Sequence, residues 1–324
     1  MKILDKLEKS NLRDITLSRE DTEELLNIWT FGDDYYRLLA LSNKLSRTKF
    51  KDRGYVFAQI GINAAPCPKN CFFCSMGNDH YAMDSKWQKT IPEIQNEVRR
   101  LLKEDIDDLF LMTTADYPHE KFIEVVKNVR PILPSEVRLV ANIGDFPLET
   151  AKAMKNAGCT GAYHICRLRE GKDTGIDPKD RENTFNAIMD SGLEFYYCIE
   201  PIGPEHGYDE MTSEIMRASK MGVQAMAAMR RIPVPGTPLF SLGQISALEL
   251  TKIVAVANLA VNPVRCMNVH EPMQMPLLAG VNQLYAEIGA NPRDTYSLTE
   301  QSRGFSPTKA WELLAEGHWF RKSK

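Results

Sequence analysis

From Tyr55 onward the chain alternates short apolar runs with longer amphipathic ones, and this alternation limits the fold more than any other feature. Runs rich in β-branched and aromatic residues near 55–62, 107–113, 136–142, 160–166, 194–200, 223–230, 263–269 and 282–287 read as strands, with helical spacing between them. Strands separated by helices pair in parallel, because a crossover long enough to return the chain to the same edge is itself a helix. Eight such units predict an α/β fold, a (β/α)8 TIM-type barrel. Pro92, Pro147 and Pro178 suit first helical turns, where the missing N–H costs nothing. Gly158 and Gly192 suit helix C-termini just before strands.

Residues 1–50 read differently, as a helical extension. Ser18 is a candidate N-cap for a helix carrying Leu25, Leu26 and Ile28, and a second helix is expected from about Asp33 to Leu45. Residues 51–324 are expected to form the barrel with a C-terminal helical tail. With 324 residues and 43% hydrophobic content, one large core is expected. A net charge of −3 and a pI near 6.1 offer no footprint for nucleic acid. The N-terminus alternates charged and apolar residues, unlike a signal peptide, and no apolar run approaches the roughly 18 residues of a membrane helix. A soluble cytoplasmic protein with no membrane partner is the expectation.

Three cysteines, Cys67, Cys71 and Cys74, fall within Ala-Pro-Cys-Pro-Lys-Asn-Cys-Phe-Phe-Cys, directly after the first expected strand. That places them at the C-terminal face, where barrel enzymes keep their chemistry. Three thiolates hold three irons of a 4Fe-4S cubane and leave the fourth free for another ligand. A zinc site is the competing reading, with His80 as fourth ligand, although the paired spacing of a zinc ribbon is missing. The odd total of seven cysteines argues against a disulfide framework, and three thiols in one loop argue against inert buried cysteines.

The C-x3-C-x2-C spacing with an aromatic before the last cysteine resembles the radical S-adenosylmethionine (SAM) superfamily. Residues from about 50 to 290 resemble its biotin synthase-like group, which includes biotin synthase, archaeal-type lipoyl synthase, methylornithine synthase and the iron-iron hydrogenase maturase. Val234-Pro235-Gly236-Thr237-Pro238-Leu239, Ile199 to Gly203 and Pro263-Val264-Arg265 extend the likeness beyond the cysteines. The resemblance implies a 4Fe-4S cluster on Cys67, Cys71 and Cys74 and SAM chelated to the open iron. It also implies cleavage to a 5'-deoxyadenosyl radical, which takes hydrogen from a small-molecule or carrier-bound substrate in cofactor biosynthesis. A low-potential reductase such as flavodoxin or ferredoxin would supply the electron.

Residue by residue, the resemblance implies Phe73 against adenine, Glu170 on the ribose hydroxyls, Arg181 on the SAM carboxylate, and Ile199 and Val234 beside adenine. Thr114 stands where relatives carry a Gly-Gly-Glu-like stretch for the SAM amino group, with Asp116 as the alternative. Each of these residues has a structural alternative as a core, turn or salt-bridge residue. Asn142, ending the third expected strand, is a substrate candidate because it offers a donor and an acceptor. His164, Glu200, Glu205, His206, His270 and Glu271 also end strands on that face.

Arg265 matches an arginine that in biotin synthases ligates a second cluster beside three strand cysteines. The matching positions here are Leu111, Val140 and Phe195, so that site cannot be built. Cys166 and Cys198, with Cys266 beside Arg265, are candidates for a different auxiliary iron-sulfur cluster, which would suit sulfur insertion of the lipoyl or biotin type. Without it, carbon-skeleton rearrangement or hydrogenase-cofactor maturation is the alternative. From another class, a non-catalytic iron-sulfur or zinc carrier stays open.

Overall fold

The computed structural model describes residues 2–301 and 304–321. Helices α1 (Lys2–Glu8), α2 (Arg19–Leu26) and α3 (Asp33–Phe50) precede the first strand. The strands are β1 (Tyr55–Gly61), β2 (Asn63–Ala64), β3 (Trp87–Gln88), β4 (Asp108–Met112), β5 (Arg138–Asn142), β6 (Gly161–Tyr163), β7 (Glu194–Ile202), β8 (Ala225–Arg230), β9 (Cys266–Val269) and β10 (Gln283–Ile288). Between and after them lie α4 (Ile91–Leu101), α5 (His119–Val129), α6 (Leu148–Ala157), α7 (Pro178–Ser191), α8 (Tyr208–Ser219), α9 (Ala247–Val261) and α10 (Pro307–Glu316).

Eight strands close into a parallel barrel in the order β1-β10-β9-β8-β7-β6-β5-β4, as the alternation predicts. The short β2 and β3 pair antiparallel outside it, flanking the three-cysteine loop. Cross-strand register runs from Tyr55 opposite Gln283 to Ile60 opposite Ile288 at the closure, and from Asp108 opposite Arg138 to Met112 opposite Asn142 next door.

Local signals explain the helix ends. Ser18 caps α2 through a reciprocal bond with Asp21, and Thr90 does the same for α4 with Glu93. Gly158 and Gly192 end α6 and α7 in the left-handed conformation at φ 112° and 72°, which costs glycine nothing. Pro147 is the one displaced signal. It occupies the N-cap of α6 rather than the first turn, since its ψ of 170° is extended.

One hydrophobic core joins the barrel to the N-terminal helices, with Leu25, Leu38 and Leu45 buried against the outer ring. Polar ties fix α3 there: Ser42 Oγ donates to the Ala279 carbonyl at 2.6 Å, and Asn258 Nδ2 donates to Ser46 Oγ at 2.9 Å. Among the described residues no helix is long and apolar enough to cross a membrane.

At the C-terminal end of β1, Gly61 lies against the loop that follows β10. A Cβ there would stand 2.6 Å from the Ala290 carbonyl oxygen, a backbone atom with no freedom to withdraw. Gly61→Ala is expected to cost on the order of 1–3 kcal/mol by overpacking the closure. The check is urea unfolding, where the midpoint should fall with an unchanged slope; an unchanged midpoint would mean the closure yields freely.

Candidate active site

Cys67, Cys71 and Cys74 sit on the loop between β2 and β3, above the C-terminal mouth of the barrel, and all three line one cavity that continues down into the barrel. Backbone bonds shape the loop: the Cys67 N–H donates to the Met76 carbonyl at 2.7 Å and the Cys74 N–H to the Cys71 carbonyl at 2.9 Å. Its neighbours hold it from two sides. The Phe72 N–H donates to the Asp173 carbonyl and the Gly175 N–H to the Lys69 carbonyl, while the Ser75 N–H donates to the Pro292 carbonyl of the segment after β10.

His80 meets the loop backbone through one ring nitrogen. Its Nε2 lies 3.1 Å from the carbonyl oxygens of both Cys71 and Cys74. Carbonyls only accept, so Nε2 carries the proton and points at the loop backbone rather than serving as a fourth ligand on that nitrogen. Gly77 makes room for the ring, since a Cβ there would fall inside the imidazole.

The donor set fits an iron-sulfur group. The three thiols are free. Burial pushes the Cys71 thiol up to about 11 and raises Cys74 further, so both are protonated until a metal ion replaces the proton. The Met76 N–H already points at Cys74 Sγ from 3.4 Å, as amides do at cluster thiolates. Arg167 provides a second sign of fit. It lines the cavity with its guanidinium 5.8 Å from the Phe73 ring centre, and its buried Nε has no hydrogen-bond partner among the described residues.

Phe73, Thr114 and Asn142 line the same cavity. Thr114 is held by Asn63, whose Nδ2 donates to Thr114 Oγ1 at 2.9 Å while its Oδ1 accepts from the Thr114 N–H at 3.0 Å. Asn142 Nδ2 donates to Gln59 Oε1 at 3.1 Å, so its own carbonyl oxygen is free of that bond.

Other expected positions fall elsewhere. Glu170 lies behind the wall with its oxygens engaged internally: Oε2 accepts from Arg181 Nε and from the Arg167 N–H, both at 3.0 Å, and Oε1 accepts from Thr174. Arg181 reaches the wall, but Nη1 also donates to Asp145 Oδ1 at 3.0 Å, so carboxylates hold it on two sides. Ile199 and Val234 are buried outside the cavity lining. Their sequence positions suggested contact, whereas their side chains pack into the core.

Arg265 is at the opposite end of the barrel. Strand β9 begins only at Cys266, so Arg265 precedes it at the floor, where Nη1 pairs with Asp108 at 2.7 Å and the guanidinium stands 4.0 Å from the centre of the Tyr55 ring. The auxiliary-cluster candidates do not converge either. Cys166 adjoins the Tyr197 hydroxyl, which bonds Glu214 of α8; Cys266 Sγ contacts Gln283 Oε1 at the floor; Cys198 lies inside the barrel near Glu200. A shared cluster on these three is therefore not supported by their placement.

Sequence reasoning gave no role to Arg167, Tyr163, Tyr285 or Arg293, which also line the cavity. Arg167 was visible in the run around Glu170, but nothing in a sequence tells which of several neighbouring charges keeps a nitrogen without a hydrogen bond. Glu200 and His270 line the cavity beside them, Glu200 accepting from the Tyr163 hydroxyl at 3.0 Å.

A closed parallel barrel with a C-x3-C-x2-C loop on its C-terminal mouth is an arrangement similar to that of radical SAM enzymes. Comparison with known proteins agrees with that class. Biotin synthase from Ehrlichia canis is 23% identical over 283 residues, covering 81% of this chain and 85% of that protein. The FeFe-hydrogenase maturase HydG from Carboxydothermus hydrogenoformans shares the fold with a TM-score of 0.82 at 17% identity, over 99% of this chain and 78% of that one. Methylornithine synthase shares it with a TM-score of 0.75 at 19% identity, over 87% and 85%. No protein-family model matches the chain. The chain is thus similar to the biotin synthase-like group of radical SAM enzymes, a relationship that implies a 4Fe-4S cluster and SAM.

Two outcomes follow from the site. His80→Ala removes the bond that ties the carbonyls of Cys71 and Cys74; at ~1–2 kcal/mol for such a bond, iron held by the loop should leave on the order of tenfold faster. Timed iron release to a chelator tests this, and an unchanged rate would show that the ring braces nothing. The second outcome concerns the wall. Burial lowers His164 to about 4, below its ordinary 6.5, and the Arg181 charge adds to this against the opposing Asp145. Asp145 stays ionised well below the usual range: burial opposes this, and the His164 bond and Arg181 charge prevail. The unfolded chain therefore takes up the His164 proton first, and stability falls as pH drops from 6.5 towards 4, by about 3 kcal/mol from this residue. Urea unfolding at pH 7.5 and 4.5 should show that loss, reduced in His164→Gln.

Proposed function

We propose that this protein is a radical SAM enzyme that cleaves SAM and uses the resulting radical to take hydrogen from a small polar molecule held in the barrel. The observation that carries the reading is the continuity of the cavity, which joins the three cysteines to Asn142, Glu200 and His270 at the barrel mouth. When bound on Cys67, Cys71 and Cys74, a 4Fe-4S cluster supplies the electron that splits SAM into methionine and a 5'-deoxyadenosyl radical.

The chain's own residues bind, orient and exclude water. Phe73 offers a ring face for adenine. Asn63 fixes Thr114 so that its hydroxyl presents an acceptor to an amino group. Arg167, whose carboxylate neighbours Glu170 and Glu200 lie beyond hydrogen-bond distance at 3.9 and 3.8 Å, is better suited to a carboxylate than Arg181, whose two hydrogen-bonded carboxylate partners make it a positioning residue for the wall. Glu170 acts on Arg181 in the same way. The apolar barrel walls around Phe57, Phe110 and Met229 keep water from the reacting atoms.

The separation of Cys166, Cys198 and Cys266 favours chemistry without an auxiliary cluster, such as carbon-skeleton rearrangement, over sulfur insertion. An external low-potential reductase such as flavodoxin or ferredoxin would deliver the electron, and the substrate is a small molecule, free or carrier-bound.

Anaerobic reconstitution with iron and sulfide should load about four iron atoms per chain. Under reduction the protein should then release 5'-deoxyadenosine from SAM, and Cys71→Ala should lose at least a hundredfold of that activity. Equal cleavage by Cys71→Ala, or failure to hold iron, would overturn the proposal.

A further inference from the structure

Inside the barrel, below the cysteine loop, three unlike donors converge. Cys198 and Glu200 stand two residues apart on β7 and so project to the same side of the sheet, and His270 follows the last residue of β9. One ligand atom from each lies within 4.8 Å of the other two. Between the two strands runs β8, where Ala227 pairs with both Cys198 and Asn268. The small alanine side chain leaves space at the centre of the group.

Within the group the Cys198 thiol is in hydrogen-bond contact with Glu200 and, at 3.6 Å, with the Ile199 carbonyl, contacts that a metal ion would replace. His270 Nδ1 is 3.9 Å from Glu200 Oε2, too far for a hydrogen bond, yet both atoms can reach one ion at about 2.1 Å each. The Tyr163 hydroxyl donates to Glu200 Oε2 at 3.0 Å and fixes the carboxylate's orientation, as outer partners of metal ligands do. In its neutral form the His270 imidazole offers one lone pair, and its backbone carbonyl accepts from Arg293. Arg293 itself pairs with Glu287.

A second constellation, Asp173, Glu205 and His206, shows what a mere polar cluster looks like in the same protein. There His206 Nδ1 accepts from the Gly203 N–H at 2.9 Å, so the neutral ring carries its proton on Nε2, the nitrogen nearest Glu205, and cannot ligate from it. Its carboxylates are also paired, Asp173 with Arg169 and Glu205 with Arg231. In the barrel group Glu200 meets Arg167 only at 3.8 Å, beyond hydrogen-bond distance.

We propose that Cys198, Glu200 and His270 bind a single divalent transition-metal ion of borderline softness, zinc or ferrous iron, with its fourth position open to the cavity for a donor atom of the substrate. One thiolate, one carboxylate and one neutral imidazole balance a doubly charged ion, so the buried site is neutral when filled. Three protein ligands with one open position is the pattern of metal sites that bind a reactant rather than only staple a fold. The ion would anchor a nitrogen, sulfur or oxygen of the substrate at the barrel mouth. This goes beyond the cluster reading and does not depend on it.

The test uses the full chain with Cys67, Cys71 and Cys74 all changed to Ser, stripped with a chelator and titrated with Co2+ as the probe. One equivalent should bind with a near-ultraviolet sulfur-to-cobalt charge-transfer band and be displaced by one equivalent of Zn2+. Adding Cys198→Ser should abolish the band, and His270→Gln or Glu200→Gln should weaken binding at least tenfold. Should the triple-serine chain fail to fold, the difference spectrum between the stripped parent and its Cys198→Ser variant reads the same band. No band, or a band unchanged by Cys198→Ser, overturns the proposal. The measurement involves neither sulfide nor SAM, so its failure leaves the 5'-deoxyadenosine result standing, and the reverse also holds.

Discussion

Closure of the barrel between β1 and β10 is the contact on which the rest of the structure depends. Hydrogen bonding in register from Tyr55 opposite Gln283 to Ile60 opposite Ile288 leaves no free edge and brings the chain's first and last barrel strands side by side. The cysteine loop leaves from one of these strands and the segment carrying Pro292 and Arg293 leaves from the other. They meet above the mouth, where the Ser75 N–H bonds the Pro292 carbonyl and the Asp84 N–H bonds that of Thr295. A loop with little core of its own thereby acquires a fixed position over the cavity, through partners more than 200 residues away in sequence.

Charge on the cavity wall is arranged in hydrogen-bonded pairs with one exception. Arg181 sits between Glu170 and Asp145, Arg293 pairs with Glu287, and Asp145 also accepts from His164. A buried guanidinium held by two carboxylates is a rigid structural element, because removing either partner would strand a charge away from water. Arg167 differs: its ion pairs with Glu170 and Glu200 are 3.9 and 3.8 Å, longer than hydrogen bonds, and its Nε makes no hydrogen bond. An anionic ligand can bond this cation without breaking an existing hydrogen bond to Nε.

The sequence made the architecture legible because strand and helix periods depend on local side-chain patterning. The eight strand positions, the Ser18 cap and the Gly158 and Gly192 helix ends all follow from residue type at a single site or a short run. The cysteine loop was legible for the same reason, its meaning being carried by spacing. Roles that need side-chain direction or the true start of a strand were less legible. Arg265 was read within a strand at 263–269, and β9 begins one residue after it, which leaves Arg265 at the floor, paired with Asp108. Glu170 and Arg181 were each read as ligand contacts; Arg181 does line the cavity, and the pairing between the two, across eleven positions and a turn, is invisible to any local pattern.

The same reasoning separates the roles of the seven cysteines. Cys67, Cys71 and Cys74 share a loop and a cavity, so spacing alone groups them. Cys166, Cys198 and Cys266 lie on or beside β6, β7 and β9, positions that invite a common site, yet Cys166 lies toward α8, Cys266 lies at the floor and Cys198 stands inside the barrel beside Glu200. What gives Cys198 its company is the i, i+2 relation to Glu200 on an inward strand face and the small Ala227 opposite, which let His270 approach across β8. A thiol beside a carboxylate and a neutral imidazole is a donor set of mixed softness, suited to one borderline ion and unsuited to a cubane, which takes thiolates from several directions. The barrel thus keeps its sulfur-rich loop at the mouth and a mixed-donor group within, on two sides of one cavity.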